Sequence, residues 1–183
     1  MKFPTALPGC FELRPRVMED ARGRFFKYYV QPEFAALGLR TDFVEEYCSF
    51  SRRGVIRGMH FQEPPHQHAK LVFCATGSVR DVVVDLRVGS PTYHQVMEVV
   101  LSAEQGNMLY IPEGMAHGFQ ALEDALMVYK VTSVYHPESD RGVLWSSLPI
   151  DWQTAAPPVL SDRDQKFPAL QDYQSPFRYE ETP

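Results

Sequence analysis

The sequence predicts an all-β fold, an antiparallel sandwich or barrel of the jelly-roll kind. Segments rich in Val, Leu, Tyr and Phe recur at close spacing, at residues 70–75, 78–86, 96–101, 107–111 and 126–134. Each is bounded by Gly, Pro, Ser or Asp, residues that end strands and open turns. Helical periodicity is nearly absent, and many short strands without helices between them favour a closed or two-layered antiparallel arrangement.

The elements follow in chain order. Residues 1–50 are expected to hold N-terminal strands and a short helix over Pro32 to Leu37, stopped by Gly38. The run Asp81-Val82-Val83-Val84-Asp85-Leu86 is more continuously apolar than a one-sided strand, which predicts burial on both faces. A short helical turn opens at Ser161, a suitable N-cap, with Asp162 in its first turn. The tail from Gln165, with Pro168, Pro176 and Pro183, is expected at the periphery. No internal repeat or low-complexity linker divides the chain, so residues 1–183 read as one domain.

Composition excludes several classes of function. The chain has 183 residues, 44% hydrophobic and 22% charged, and a net charge of −5. That size can bury a core without staples, and the acidic balance argues against nucleic-acid binding, which needs a basic surface. No apolar run approaches the length of a membrane span, and Met1 to Cys10 carries two prolines and no signal core. A cytoplasmic location is expected. Cys10, Cys48 and Cys74 are odd in number and widely spaced, which predicts small buried hydrophobes rather than a disulfide framework.

The chemistry is concentrated in a few stretches. Arg57-Gly58-Met59-His60 is followed by Lys70, and far downstream come Gly114-Met115-Ala116-His117-Gly118 and Tyr129-Lys130. Gathered by the fold, these offer an anion clamp, a base, a fixed positive charge and a phenol. Such a set can remove a proton beside a carbonyl and return one to the other face. Gly106, Pro112, Gly114 and His117 match the second motif of cupins, G-x5-P-x-G-x2-H, at every position. The first cupin motif is incomplete: His66-Gln67-His68 is present, but Lys70 follows and no glutamate stands between His68 and Gly77. A protonated lysine repels a divalent ion, so no metal is expected in the site.

The whole set resembles one cupin branch, the dTDP-4-dehydrorhamnose 3,5-epimerase family. The resemblance runs in order from about Arg22 to Asp164. It is carried by Arg22-Gly23 with Phe25-Phe26, Gly54 to Gln62, Lys70-Leu71-Val72, Asp81 to Arg87, Leu101 to Glu104, Ile111 to Phe119, Tyr129-Lys130, Tyr135 to Ser139, Ile150-Asp151-Trp152 and Leu160 to Asp164. It implies a cupin-type jelly-roll barrel with a few short helices and a cofactor-independent epimerase of a nucleotide-diphospho-4-keto-6-deoxyhexose. It also implies a homodimer with N-terminal strand exchange.

Roles carry over residue by residue. The family pattern makes His60 the base and Asp164 the carboxylate that orients it. It sets Lys70 against the developing oxyanion and makes Tyr129 the acid on the opposite face. Arg22 and Arg57 match arginines that contact the diphosphate, a task suited to the guanidinium fork. His117 matches a sugar-pocket histidine, Tyr135 an aromatic that stacks on the nucleobase, and Arg163 a basic residue near the nucleotide. Gln62 closes the strand motif among the substrate contacts.

Departures concern the substrate. Where dTDP-rhamnose enzymes read Gln-Asp-Asn after Phe-Val, this chain reads Glu45-Glu46-Tyr47, placing Glu45 and Tyr47 at substrate positions. An ionised glutamate only accepts hydrogen bonds, whereas an amide also donates. Phe-Phe-x-Glu becomes Phe25-Phe26-Lys27-Tyr28. Another nucleotide such as CDP, another deoxysugar, or inversion at one carbon are therefore alternatives to double inversion of a dTDP sugar. A metal-dependent cupin using His66, His68 and His117 and a non-catalytic sugar-nucleotide binding module are the readings from other classes.

Overall fold

The computed structural model describes residues 1–154 and 157–180. Its strands are β1 (Lys2–Pro4), β2 (Phe11–Leu13), β3 (Met18–Asp20), β4 (Gly23–Phe25), β5 (Glu45–Ser51), β6 (Ile56–Gln62), β7 (Lys70–Thr76), β8 (Ser78–Asp85), β9 (Val96–Ser102), β10 (Met108–Ile111), β11 (Met115–Ala121), β12 (Ala125–Val131) and β13 (Asp140–Gly142), with one short α-helix among the described residues, α1 (Gln31–Ala36), and three single 3-10 turns near the C-terminal end. The five segments read as strands all form strands. The last overruns: Val131 stands opposite Lys70 and Glu45, the first residues of its two neighbours, so the ladder ends there. Helix α1 ends as expected, with Gly38 in the left-handed region and its N–H on the Ala35 carbonyl.

One sheet has the order β1-β2-β10-β7-β12-β5 and the other β13-β6-β11-β8-β9, with β3-β4 a separate hairpin. All pairings between named strands are antiparallel. The jelly-roll expectation is met. Between the sheets lies a core built on Val72, Leu109, Met115, Phe119, Met127 and one face of Tyr129.

Both outer faces are also covered. Val79 and Val83 of β8 join the inner core, while Val82, Val84 and Leu86 join a second cluster with Trp152, Leu170 and Phe177. Alternate residues thus point to opposite apolar layers, as the run predicted. The segment from Gln165, expected at the periphery, contributes Leu170 and Phe177 to that cluster; residues 181–183 lie outside the described residues. A third cluster packs α1 and the aromatics before β5 on the outside of the first sheet. Tyr28 stacks on Phe73 there at 3.7 Å between centroids, so this departure from the family pattern is a packing residue. Cys10 and Cys74 are buried and free, whereas Cys48 is exposed, because it faces outward on edge strand β5.

Candidate functional site

Two glycines bring the central strands of the second sheet together. A Cβ on Gly58 would lie 2.6 Å from the Gly118 Cα, and one on Gly118 would lie 2.5 Å from the Arg57 carbonyl oxygen. This close approach of β6 and β11 sets His60 opposite His117 in register. The first sheet contributes Lys70 at the start of β7, Tyr129 on β12, and the face of edge strand β5 carrying Tyr47, Ser49 and Ser51.

His60 Nε2 lies 2.8 Å from Asp164 Oδ1, the carboxylate accepting. The Gly58 N–H donates to the other oxygen at 3.1 Å, and the Asp164 N–H donates to Ser161 Oγ at 3.1 Å. The turn predicted at Ser161 therefore delivers the carboxylate to the histidine. Burial works to raise the Asp164 carboxyl, but the bonds from His60, Gly58 and Ser161 outweigh it and hold it below its ordinary value.

Lys70 is 5% exposed and donates to the His60 carbonyl oxygen at 3.1 Å. Burial lowers its ammonium from the ordinary 10.5 to about 8, against the opposing pull of Asp140 and Asp81. His117 Nε2 lies 2.8 Å from Asp81 Oδ2, and both side chains are buried. Burial pushes His117 down and Asp81 up.

Tyr129 is 6% exposed, and burial raises its phenol above the ordinary value. Its hydroxyl is 3.1 Å from Ser49 Oγ, and its ring stacks on Tyr47 at 4.7 Å. A cavity of about 180 Å³ is lined by Tyr47, Ser49, Arg57, His60, Lys70, His117 and Tyr129. It shares Tyr47, His60 and Lys70 with an outer groove of about 290 Å³ lined also by Glu45, Gln62, His68, Tyr135, Asp140 and Arg163.

Ten of the twelve sequence-predicted site residues border this space. Asp164, which does not line it, reaches it through His60. Arg57 is held by Ser51 Oγ and the Phe50 carbonyl, and Arg163 by Asp140 at 2.6 Å. Tyr135 stands 58% exposed at the mouth, its N–H on Glu45 Oε2 at 2.8 Å. Gln62 borders the groove, but its amide is occupied by the backbone: it donates to the His66 and Val134 carbonyls and accepts from the His136 N–H. Arg22 is the exception. It sits at the tip of the β3–β4 hairpin, paired with Asp20 at 2.6 Å and outside both cavities.

Asp81, Asp140, Ser49 and Ser51 escaped sequence reasoning. Asp81 left a signal, because a carboxylate in a run buried on both faces requires a partner. The serines left one only in hindsight, as the alternate positions of an edge strand. The alternative metal set of His66, His68 and His117 does not converge: His117 holds Asp81, His66 Nδ1 meets Ser139 Oγ at 2.8 Å, and His68 Nδ1 meets Gln62 Nε2 at 3.3 Å.

These features define a class, a jelly-roll enzyme whose cavity combines a histidine–carboxylate pair with a buried lysine and a phenol. A family model described as dTDP-4-dehydrorhamnose 3,5-epimerase matches residues 4–172. The chain is 44% identical over 170 residues to the dTDP-4-dehydrorhamnose 3,5-epimerase of Salmonella typhimurium, covering 91% of this chain and 93% of that protein. A crystal structure of dTDP-6-deoxy-D-glucose-3,5-epimerase from Legionella pneumophila, in complex with dTDP-4-keto-L-rhamnose, superimposes with a TM-score of 0.93 at 34% identity, over 99% of each chain. A 3'-monoepimerase from Streptomyces bikiniensis, in complex with dTDP-quinovose, gives 0.86 at 34% identity, over 92% of this chain and 87% of that one. The chain belongs to the dTDP-4-dehydrorhamnose 3,5-epimerase family and is a carbohydrate epimerase, an isomerase.

Proposed function

We propose that this protein epimerises a nucleotide-diphospho-4-keto-6-deoxyhexose, with dTDP-4-keto-6-deoxyglucose the first substrate to test, by proton abstraction beside the ketone and reprotonation on the far face. The observation that carries this is the pair His60 and Tyr129, brought from opposite sheets onto one cavity that Lys70 also lines. His60 takes the proton, and Asp164 fixes its tautomer and supports the imidazolium. Lys70 faces the enolate oxygen, where a buried cation is worth more than in water. Tyr129 returns a proton to the opposite face. Its phenol, protonated at every physiological pH, suits an acid rather than a base. Arg57 and Arg163 take the diphosphate, Tyr135 the nucleobase, and His117 and Gln62 border the sugar and its exit, with Glu45 and Tyr47 setting base preference. No cofactor takes part in this scheme.

We further propose a homodimer in which the β3–β4 hairpin crosses to the neighbouring site and delivers Arg22. The hairpin exposes Met18 and Phe25 by 49% and 57%, and such apolar surface on an isolated hairpin calls for a partner. A cytoplasmic location fits the three free cysteines; no described helix is long and apolar enough to cross a membrane.

Incubation in heavy water with dTDP- and CDP-linked 4-keto-6-deoxyglucose, followed by NMR location of the deuterium, tests substrate and regiochemistry together. Deuterium at both C3 and C5 of the dTDP sugar is expected. Label at one carbon would make the protein a mono-epimerase, and no label in either sugar would overturn the reading.

A further inference from the structure

Outside the catalytic cavity, at the rim of the outer groove, two loops bring His66, His136 and Glu138 together, their donor atoms all within 4.8 Å of one another. We propose that these three side chains form a binding site for a borderline divalent transition-metal ion such as zinc, separate from the proton-transfer centre.

The donor spacing fits such an ion. Ligands about 2.1 Å from a tetrahedral centre stand about 3.4 Å apart. Glu138 Oε1 lies 3.1 Å from His136 Nδ1 and 3.9 Å from His66 Nδ1, which brackets that separation. The two imidazoles are stacked with centroids 3.5 Å apart and planes 11° from parallel, both Nδ1 atoms toward Glu138; because a ring nitrogen donates in its own plane, the rings must turn out of the stack to aim both at one ion. Two imidazoles and a carboxylate form a donor set that zinc, cobalt and nickel favour over magnesium or calcium. Ser139 Oγ, 2.8 Å from His66 Nδ1, stands beside the open fourth position.

The site is also organised in advance by groups that are not ligands. Gln62, 3% exposed at the end of β6, donates to the His66 carbonyl at 2.8 Å and accepts from the His136 N–H at 2.6 Å, so one buried amide holds both histidine backbones. The Glu63 N–H on the Ser139 carbonyl at 2.8 Å ties the same two loops again. Supporting hydrogen bonds of this kind orient first ligands and raise affinity. A bound ion would clamp the 63–68 and 134–139 loops, and with them Tyr135, at the groove mouth.

Titration of the chelator-stripped full-length protein with zinc chloride and cobalt chloride alone tests this. One ion per chain with a Kd of about 1 μM, and cobalt absorption of a four- or five-coordinate complex, is expected. His136→Ala and His66→Ala should each weaken binding at least about tenfold, in line with the loss of one ligand, while His60→Ala and His68→Ala should leave it unchanged. Both ligand histidines are partly exposed, so the variants should fold, and unchanged far-ultraviolet circular dichroism checks it. Absence of zinc binding below 100 μM, or binding indifferent to His66 and His136, would overturn the proposal whether or not the protein epimerises its sugar.

Discussion

His60–Asp164 and His117–Asp81 are the same chemical pair at the same 2.8 Å separation, on neighbouring strands and in register, yet they sit in opposite environments. The His60 side chain is 32% exposed to the cavity; its partner carboxylate accepts a further bond from the Gly58 N–H, the Asp164 backbone is anchored on Ser161 Oγ, and the carboxyl is held below its ordinary value. The His117 pair is sealed at 3% and 0% exposure, with Asp81 Oδ1 left without a partner among the described residues. A histidine that is to gain and lose a proton each turnover needs solvent access and a carboxylate that stays charged. A sealed pair with a raised carboxyl pays too much desolvation to cycle and instead fixes the shape of the pocket. On the proposed mechanism, burial and the extra Gly58 bond divide two copies of one pair between chemistry and scaffold.

Substitutions can break this contrast. Asp164→Asn should lower turnover by about 10²–10⁴-fold through loss of the tautomer lock, with little change in the urea midpoint. Asp81→Ala should cost about 3 kcal/mol of stability by stranding His117 and reduce turnover far less. Urea unfolding and steady-state rates on both proteins decide it, and equal losses in both measurements would erase the distinction.

Lys70 sharpens it from the side of charge. The native ammonium deprotonates near 8 and the unfolded one near 10.5, so between these values the unfolded chain binds more protons. Stability contributed by this group therefore rises with pH across that window. On the proposed mechanism, oxyanion stabilisation should be lost over the same range. Turnover should fall about tenfold for each pH unit above 8, a limb that Lys70→Met abolishes while starting from a much lower rate. A smaller effect belongs to Tyr135→Ala at the mouth, a roughly tenfold rise in KM with kcat unchanged, as expected for one lost stacking contact.

The fold was largely legible because period-two runs and turn residues report local geometry, and the double-sided burial of residues 81–86 was readable from its unbroken valines. That His60, Lys70, His117 and Tyr129 meet on one cavity, with Asp164 bonded to His60, was anticipated by the motifs in which they stand, while their roles rest on the proposal above. What stayed hidden depends on long-range pairing. Nothing local tells that Ser49 meets Tyr129, 80 residues away, or that Gln62 spends its amide on two loop backbones. Arg22 marks the same boundary from the other side: its motif is plain in the sequence, while its own chain leaves it outside the cavity.

Two-sided proton transfer is tested most directly by following solvent deuterium and product configuration in His60→Ala and Tyr129→Phe together. His60→Ala should lose incorporation and inversion alike, whereas Tyr129→Phe should still incorporate deuterium from the His60 side yet fail to invert. Full incorporation in His60→Ala, or an unchanged epimer ratio in Tyr129→Phe, would contradict it.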